Sequence, residues 1–326
     1  MMSGDPRYPV PRVCNLTNMI SMNQTASSAS ESTDTLRLDG RVAIVTGAGA
    51  GLGRAHALLL AARGARVVVN DLRDPQPVVE AIRTAGGEAI GHIGSVTDEA
   101  AVQAMADQAM ATWGRIDILV NNAGILRDKS FSKMTVDDFR TVVDVHLMGA
   151  MLCTKAVWEV MKGQQHGRIV FTTSSSGLFG NFGQSNYGAA KMALVGLMQT
   201  LSLEGEKYNV RVNCLAPTAA TSMTEGILPP QALALLTPES VSPGLLFLVS
   251  EQAPTRAILN AGAGVFATTH VVLGEPHLVG STADAPERVA AAWPLISDRA
   301  QAIEPIGGMQ QSAREMALVL SSGAAG

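Results

Sequence analysis

A glycine-rich segment near residue 50 restricts the fold of this chain more than any other feature of its sequence. Thr46–Gly53 follows the apolar run Val42–Val45 directly and leads into the helix-forming residues 54–58. Glycine lets the backbone turn tightly and brings amide N–H groups and the positive end of a helix toward a bound anion. In isolation such a turn is equally typical of a plain loop. Its place between a strand and a helix predicts a pyrophosphate-binding turn made by Gly47, Gly49, Gly51, Leu52 and Gly53.

The chain repeats this alternation of β-branched runs and helical segments. Alternation of this kind is typical of βαβ units. We predict an α/β fold, a Rossmann-type doubly wound parallel sheet with helices on both faces, in a single domain over residues 37–274. Residues 1–36 are predicted to be a disordered tail, and residues 275–326 a C-terminal extension that lines the substrate site or a subunit interface. The predicted strands are Val42–Val45, Val67–Val69, Ala89–Ile93, Ile118–Val120, Ile169–Phe171 and Val210–Asn213.

Composition argues against several classes of function. Lys and Arg total 24 against 28 Asp and Glu, which gives no electrostatic footprint for nucleic acid. The three cysteines, Cys14, Cys153 and Cys214, are far apart and favour inert packing over a disulfide framework or a metal site. No apolar stretch reaches the length of a membrane span. We also expect neither a secretory signal nor a peroxisomal address, and therefore a cytoplasmic protein. No bound metal is expected.

Asp71 ends the second predicted strand, eighteen positions after Gly53. A carboxylate at this point accepts hydrogen bonds from both adenosine ribose hydroxyls of NAD and repels the 2′-phosphate of NADP. An ordinary solvated loop aspartate is the alternative interpretation. Arg73 weakens the selection, because its guanidinium is able to receive a phosphate. We predict NAD as the cofactor, since the carboxylate is at the strand end itself.

A second set of residues has the chemistry of proton transfer. Tyr187 and Lys191 are four residues apart and therefore share one face of a helix, and Ser174 follows a predicted strand thirteen residues before Tyr187. A neighbouring ammonium and an oxidised nicotinamide both favour the phenolate, so Tyr187 is able to exchange a proton with a substrate oxygen near neutral pH. A Tyr-x-x-x-Lys pair alone arises often by chance. Together with Ser174 and the glycine turn it predicts a catalytic site.

Taken in order, these motifs resemble the short-chain dehydrogenase/reductase family over residues 38–265. The resemblance implies that Tyr187 is the acid/base and that Ser174 binds the carbonyl. Lys191 is implied to bind the nicotinamide ribose and to lower the tyrosine pKa. Asn121-Asn122-Ala123-Gly124 is a further shared motif. It implies support of the sheet beside the adenine ribose by Asn122, Ala123 and Gly124, with a turn of no function as the alternative.

Other segments, including Gly180–Tyr187 and Ala216–Ala219, resemble the dehydrogenase region of the peroxisomal type 2 multifunctional enzymes, also called 17β-hydroxysteroid dehydrogenase type 4. Those enzymes oxidise (3R)-hydroxyacyl-CoA thioesters. The wider family usually has Asn at the position of His146, whereas the type 2 group resembles this chain in having His. His146 either relays protons from Lys191 or packs as an ordinary histidine. In place of the usual acidic residue, Ser95 and Val96 are predicted beside the adenine. Pro217 and Thr221 are predicted at the nicotinamide, with a polar helix cap as the alternative for Thr221.

Three functions compete at this stage. The first is NAD-dependent oxidation of a (3R)-hydroxyacyl-CoA or a 17β-hydroxysteroid to a ketone. The second is NADPH-dependent reduction of a 3-oxoacyl carrier-protein thioester, against which Asp71 argues. The third, a cofactor-binding scaffold without turnover, conflicts with the intact set of Ser174, Tyr187 and Lys191. The apolar helix predicted over residues 192–203 resembles the family's subunit contact, so a homodimer or homotetramer is expected.

Overall fold

The order of the strands follows from the parallel pairing that the alternating sequence predicts. In a computed structural model, which describes residues 35–220 and 234–323, eight strands form one sheet in the order β3-β2-β1-β4-β5-β6-β7-β8. All neighbours are parallel except β7 and β8. The strands are β1 (Val42–Thr46), β2 (Arg66–Asp71), β3 (Glu88–Ile93), β4 (Ile118–Asn121), β5 (Gly167–Thr172), β6 (Val210–Thr218), β7 (Ile258–Gly262) and β8 (Val265–Thr269).

Helices cover both faces of the sheet, which confirms the predicted doubly wound α/β fold. One face carries α1 (Gly51–Ala62), α2 (Gln76–Thr84) and α8 (Ser242–Val249). The other carries α3 (Glu99–Trp113), α5 (Gly149–Gln164) and α7 (Ser185–Gly205). The central strands between the two layers are buried on both sides, as their continuous Val and Ile runs require, whereas the edge strand β3 is partly exposed. The remaining helices of the described chain are α4 (Val136–Val143), α6 (Ser175–Phe179), α9 (Ala285–Ile296) and α10 (Met309–Ser321).

The six predicted strands correspond to β1–β6, each one to five residues longer than its apolar run. The hairpin of β7 and β8 lies within the predicted domain of residues 37–274 but adds two strands to the six that were predicted. The strand β8 is mostly exposed, so it lacks the continuous buried run that identifies the other strands. The carboxyl ends of β1, β2, β4, β5 and β6 lie along one edge, which is where a doubly wound sheet binds its ligands.

The chain after β8 forms two helices joined by loops. One isolated antiparallel bridge joins Leu273 to Ile303, and α9 contains Pro294 near its end. This part of the chain includes most of the predicted C-terminal extension, residues 275–326. Its place at a substrate site or a subunit interface remains a prediction. The predicted tail, apart from residues 35 and 36, lies outside the described residues.

Candidate active site

The glycine turn lies between β1 and α1, where a pyrophosphate is expected. Gly47 has a φ of 61°, in the left-handed region that favours glycine. A Cβ on Gly53 would overlap the carbonyl oxygen of Gly47, so the turn closes only without a side chain there. Gly51 is the first residue of α1, and Leu52 follows it. The backbone N–H groups at the start of this helix have no partners within the helix, which suits an anion.

The Asn-Asn-Ala-Gly motif stabilises this turn by hydrogen bonds. The Asn122 side chain donates to the carbonyls of Thr46 and Gly47 at 3.0 and 3.1 Å. The backbone N–H groups of Asn122 and Ala123 both donate to the Thr46 hydroxyl, at 3.0 and 3.1 Å. Gly124 lies against the His146 ring, which a Cβ at this position would overlap. Asn122 and Ala123 therefore make structural contacts with the turn, and the Thr46 hydroxyl is a central acceptor that the sequence did not single out.

Asp71 contacts the turn directly. Its Oδ2 accepts the Gly49 N–H at 2.9 Å, and its Oδ1 accepts the Arg73 N–H at 3.1 Å. The half-buried carboxylate therefore lies at the side of the glycine turn where the second strand ends. Each oxygen retains accepting capacity for a ribose hydroxyl.

The predicted adenine-side residues follow β3, the neighbour of β2. The Ser95 hydroxyl lies 2.8 Å from that of Thr97 and accepts the Thr97 N–H at 3.2 Å. Val96 is buried and packs closely on Gly149. Ser95 is therefore held in a local turn, and Val96 contributes to the core beside it.

Ser174, Tyr187 and Lys191 meet beyond the carboxyl end of β5. Ser174 caps α6 by accepting the Ser176 N–H at 3.2 Å, and it also hydrogen-bonds to the Tyr187 side chain. Tyr187 and Lys191 share one face of α7, with Lys191 Nζ 5.5 Å from the centre of the Tyr187 ring. Lys191 is only 3% exposed, and its ammonium donates to the Thr172 carbonyl at 2.5 Å. The hydroxyls of Ser174 and Tyr187 and the buried amine of Lys191 therefore lie near one another beyond the end of β5.

The electrostatics of this group differ from the expectation. Burial raises the pKa of Tyr187, and the hydrogen bond with Ser174 offsets this only in part. Burial lowers the pKa of Lys191 to about 7, so its ammonium is only partly charged at neutral pH. The prediction that Lys191 lowers the tyrosine pKa is therefore not met in the protein alone, because desolvation dominates. A lowered tyrosine pKa requires a further positive charge nearby, such as that of an oxidised nicotinamide.

His146 lies at the centre of a π-helical segment, Asp144–Met148, between α4 and α5. Its ring stands edge-on to Tyr187, with centroids 5.1 Å apart. Nε2 lies 3.0 Å from the Ile125 nitrogen and 2.8 Å from its oxygen, whereas Nδ1 is buried without a hydrogen-bond partner in the described part of the chain. Burial and the charge of Lys191 lower the His146 pKa to about 3. The folded protein therefore holds this imidazole neutral near pH 7, and the choice between a proton relay and a packed histidine remains open.

Pro217 lies near the end of β6, in register with Ala261 of β7. Thr221 lies outside the described residues. Within residues 35–220 and 234–323, no group of three or more His, Cys, Asp or Glu is placed to hold a metal ion. No helix in that same part of the chain is both long enough and apolar enough to cross a bilayer.

A set of side chains missed by the sequence interpretation positions the start of α7. Asn186 is fully buried and donates to the Arg127 carbonyl at 3.1 Å, while its oxygen accepts the Tyr187 N–H at 2.8 Å. Gln184 donates to the Asp128 carboxylate at 2.7 Å. These bonds tie the loop after β4 to the loop before Tyr187. The sequence signals were adjacency to Tyr187 and the shared segment Gly180–Tyr187, and neither reveals the partners.

Comparison with known proteins agrees with this geometry. A family model described as "short chain dehydrogenase" matches residues 41–231. Peroxisomal multifunctional enzyme type 2 of Drosophila melanogaster is 46% identical over 84% of this chain and 48% of its own length. The chain belongs to the short-chain dehydrogenase family. It is an oxidoreductase by membership, and it spans about half the length of that fly relative.

Two further comparisons add structure and an alternative. The solved full-length fly enzyme superposes with a TM-score of 0.75 over 88% of this chain and 50% of that one, at 40% identity. A 7α-hydroxysteroid dehydrogenase complexed with NADH and 7-oxo glycochenodeoxycholic acid gives a TM-score of 0.65 at 32% identity, over 70% of this chain and 95% of that one. A 3-oxoacyl-[acyl-carrier-protein] reductase of Synechocystis is 40% identical over 66% of this chain and 92% of its own length.

Proposed function

We propose that the protein oxidises the secondary alcohol of a (3R)-3-hydroxyacyl-CoA thioester to a ketone with NAD. The observation that supports this most directly is the Asp71 carboxylate, which contacts Gly49 of the glycine turn at 2.9 Å. It favours NAD, the usual acceptor for oxidation, over NADP. The acyl-CoA substrate rests on the likeness to the type 2 multifunctional enzymes, at 46% identity to the fly protein. Steroid alcohols are the other class that the same likeness suggests.

The residues of the site fit the bound dinucleotide. The glycine turn leaves backbone N–H groups free of side-chain cover for the pyrophosphate, and Asp71 is the acceptor for the ribose hydroxyls. Lys191 and Tyr187 adjoin the space beyond β5 where the nicotinamide ribose would lie. When bound, the oxidised nicotinamide supplies a hydride acceptor.

The protein's own groups handle the proton. Tyr187, as phenolate, takes the proton of the substrate hydroxyl while the carbinol carbon loses its hydride, so the alcohol becomes a ketone with no net charge left on it. Ser174 holds the substrate oxygen beside the Tyr187 hydroxyl. A charged Lys191, whose Nζ is 5.5 Å from the centre of the Tyr187 ring, would favour the phenolate together with the positive charge of the oxidised nicotinamide.

We propose that His146 orders a water molecule beside Tyr187 as a neutral group. Its Nδ1 is buried without a hydrogen-bond partner among the described residues, and a buried polar atom of this kind is commonly satisfied by water. Nε2 contacts the nitrogen and the oxygen of Ile125, which fixes the orientation of the ring and leaves Nδ1 to hold the water.

The second candidate is an NADPH-dependent reductase of 3-oxoacyl carrier-protein thioesters. Arg73 favours it, because this exposed guanidinium follows Asp71 by two residues and forms no ion pair within the described chain, so it is able to meet a 2′-phosphate. The match to the Synechocystis reductase, at 40% identity, points the same way.

Cofactor and substrate assays test the proposal. We expect kcat/KM with NAD to exceed that with NADP at least about tenfold, the value of one charge-assisted hydrogen bond. Asp71→Ser should remove most of this preference, and Arg73→Gln should leave NAD use unchanged. A panel of C4 to C16 (3R)-hydroxyacyl-CoA thioesters, 17β-hydroxysteroids and 3-oxoacyl carrier-protein thioesters identifies the substrate. Equal use of both cofactors, or turnover of the carrier-protein thioester alone, would replace the proposal with the reductase.

We also propose that the protein is a homo-oligomer that packs through α7. Met192 and Leu203 on this helix are 41% and 48% exposed. Leu203 also borders an open surface groove of about 550 Å³ together with Trp158 of α5. Apolar groups exposed along one helix face suit a twofold contact between identical helices. Light scattering at micromolar concentration should give a dimer or tetramer, and a monomer would refute the contact.

A further inference from the structure

Three phenyl rings on the loops and the short helix that follow β4 and β5, close in sequence to the candidate active-site residues, are unusually exposed. Of the seven phenylalanines, Phe131, Phe179 and Phe182 are 78%, 70% and 90% exposed. We call these three residues the aromatic rim. A cluster of large apolar groups on a protein surface often marks an interaction site, whereas a single exposed apolar residue is common and has no such meaning. All three follow strand ends at the carboxyl edge of the sheet.

Hydrogen bonds join the two loops that carry the rim. The Lys129 N–H donates to the Gly183 carbonyl at 2.9 Å, two residues before Phe131 and one after Phe182. Phe131 and Phe182 are each within two residues of this hydrogen bond, and consecutive Cα atoms are only about 3.8 Å apart. The backbone segments that carry these two rings therefore lie close together. Phe179 ends α6, the helix that Ser174 caps. The rim therefore adjoins the proton-transfer groups without being part of them.

Basic side chains alternate with the rim on the same loop. Arg127 and Lys133 are exposed on either side of Phe131, and neither forms an ion pair with a carboxylate within the described residues. The third cation of this loop, Lys129, is already paired with Asp138 at 2.7 Å. Unpaired cations interleaved with exposed aromatic faces are the combination that binds a stacked base and its phosphates.

We propose that the aromatic rim, with Arg127 and Lys133, binds the nucleotide end of a coenzyme A thioester. The phenyl rings stack on the adenine and the two cations meet the phosphates. An alkyl chain is a poorer occupant, because rings exposed by 70–90% offer flat faces without an enclosing wall, and free charges beside them oppose its burial. The rim is carried by the segments next to Ser174 and Tyr187, which would allow one long substrate to contact both the rim and the proton-transfer groups. This inference rests on the proposed function and specifies how that site recognises its substrate.

Two thioesters of the same acyl group test the inference. One is a (3R)-3-hydroxyacyl-CoA, and the other is the matching N-acetylcysteamine thioester, which keeps the reacting carbon and lacks the nucleotide. For the double variant Phe131→Ala/Phe182→Ala we expect KM for the CoA thioester to rise about tenfold or more, as for loss of base stacking. Its kcat, and its kcat/KM with the truncated thioester, should not change. Lys133→Gln should raise KM for the CoA thioester less, and only at low ionic strength.

Matched controls separate recognition from general damage. Phe266→Ala removes a phenylalanine 43% exposed on β8, and Lys155→Gln removes an exposed lysine of α5; neither should alter KM for either thioester. Equal losses with both thioesters, or none with either, overturn the proposal. A change in oligomeric state of the double variant would assign the rim to a second copy of the chain and also overturn it.

Binding of free coenzyme A, measured by calorimetry without turnover, distinguishes this inference from the proposed function. If neither thioester reacts while coenzyme A binds the native protein and not the double variant, the rim assignment stands and the proposed substrate fails. If both thioesters react equally well and coenzyme A does not bind, the proposed oxidation stands and the rim assignment fails.

Discussion

The two edges of the sheet both bury ionisable side chains, but only the amino-terminal edge gives its buried charges a full set of partners. Asp117, fully buried where β4 begins, accepts hydrogen bonds from Arg115 at 2.6 and 2.7 Å, Arg41 at 3.0 Å and the Val42 N–H at 2.9 Å. Burial raises its pKa, yet these bonds outweigh burial and leave the pKa below its usual value. Arg168, equally buried at the start of β5, donates to several backbone carbonyls.

At the carboxyl edge, burial comes without such compensation. The Lys191 ammonium has one hydrogen-bond partner in the described chain, the Thr172 carbonyl, and its pKa is lowered to about 7 by burial. His146 keeps a buried nitrogen without a partner. Buried polar groups in proteins are normally satisfied, and perturbed groups without compensation cluster where chemistry is done. The comparison therefore separates charges that stabilise the fold from charges that are held ready to exchange a proton.

The largest effect is expected from removing the proton-transfer group at the carboxyl edge. Tyr187→Phe should lower kcat by about 10²–10⁴-fold, the usual value of general acid–base catalysis, while NAD binding and the free energy of unfolding change little. Stopped-flow or steady-state assays measure kcat, cofactor fluorescence titration measures NAD binding, and denaturant titration measures the free energy of unfolding. Retention of more than about a tenth of the native rate would remove Tyr187 from the mechanism.

A substitution at the amino-terminal edge should instead lower the free energy of unfolding and leave kcat unchanged. Asp117→Ala leaves Arg115 and the Val42 N–H without their buried acceptor, so the free energy of unfolding should fall by about 3–5 kcal/mol. Denaturant titration measures it, and kcat at a temperature where the variant is folded should match the native value. Asp117→Asn, which keeps the shape and part of the hydrogen bonding, should lose less. A stable Ala variant would show that the ion pairs do not hold this edge together.

A smaller effect follows from the pKa of Lys191. In the folded protein it is about 7, against about 10 in an unfolded chain. Between these values the unfolded chain binds a proton that the folded one does not, so the contribution of this residue to the free energy of unfolding rises with pH and is lowest below pH 7. Lys191→Met should therefore melt at least about 3 °C above the native protein at pH 6, with a difference that shrinks toward pH 10. Calorimetry across this range measures it, and a constant difference would contradict the lowered pKa.

Much of the fold could be predicted because its signal is local. The strands β1, β2, β4, β5 and β6 are runs of mostly apolar residues that are largely buried, and the turn Thr46–Gly53 has glycine where the close backbone approach leaves no room for a side chain. The hairpin of β7 and β8 had no such signal, because β8 is a mostly exposed edge strand whose pairing is set by its neighbour. The residues of the amino edge were missed for a related reason, since Asp117 and Arg41 are distant in sequence and only the sheet brings them together.

The site was predictable in its residues and less so in its electrostatics. Spacing identifies Tyr187 and Lys191 as helix neighbours, but it carries no measure of how deeply they are buried. In the protein without its cofactor the pKa of Tyr187 is raised and that of His146 is lowered, and burial is the largest cause of both shifts. The anchoring of α7 by Asn186 and Gln184 was likewise invisible, since both partners belong to a loop more than forty residues earlier.

The π-helical segment Asp144–Met148 also determines how the two halves of one long helical rod are oriented. From Val136 to Gln164 the rod is continuous, yet α4 packs against α7 while α5 packs against α3 and the sheet. An α-helix advances about 100° per residue, so the wider turn shifts the rotational phase of α5 relative to α4. Deleting one residue there would restore a regular α-helix only by rotating one half off its partner. The length of this segment is therefore as constrained as its composition.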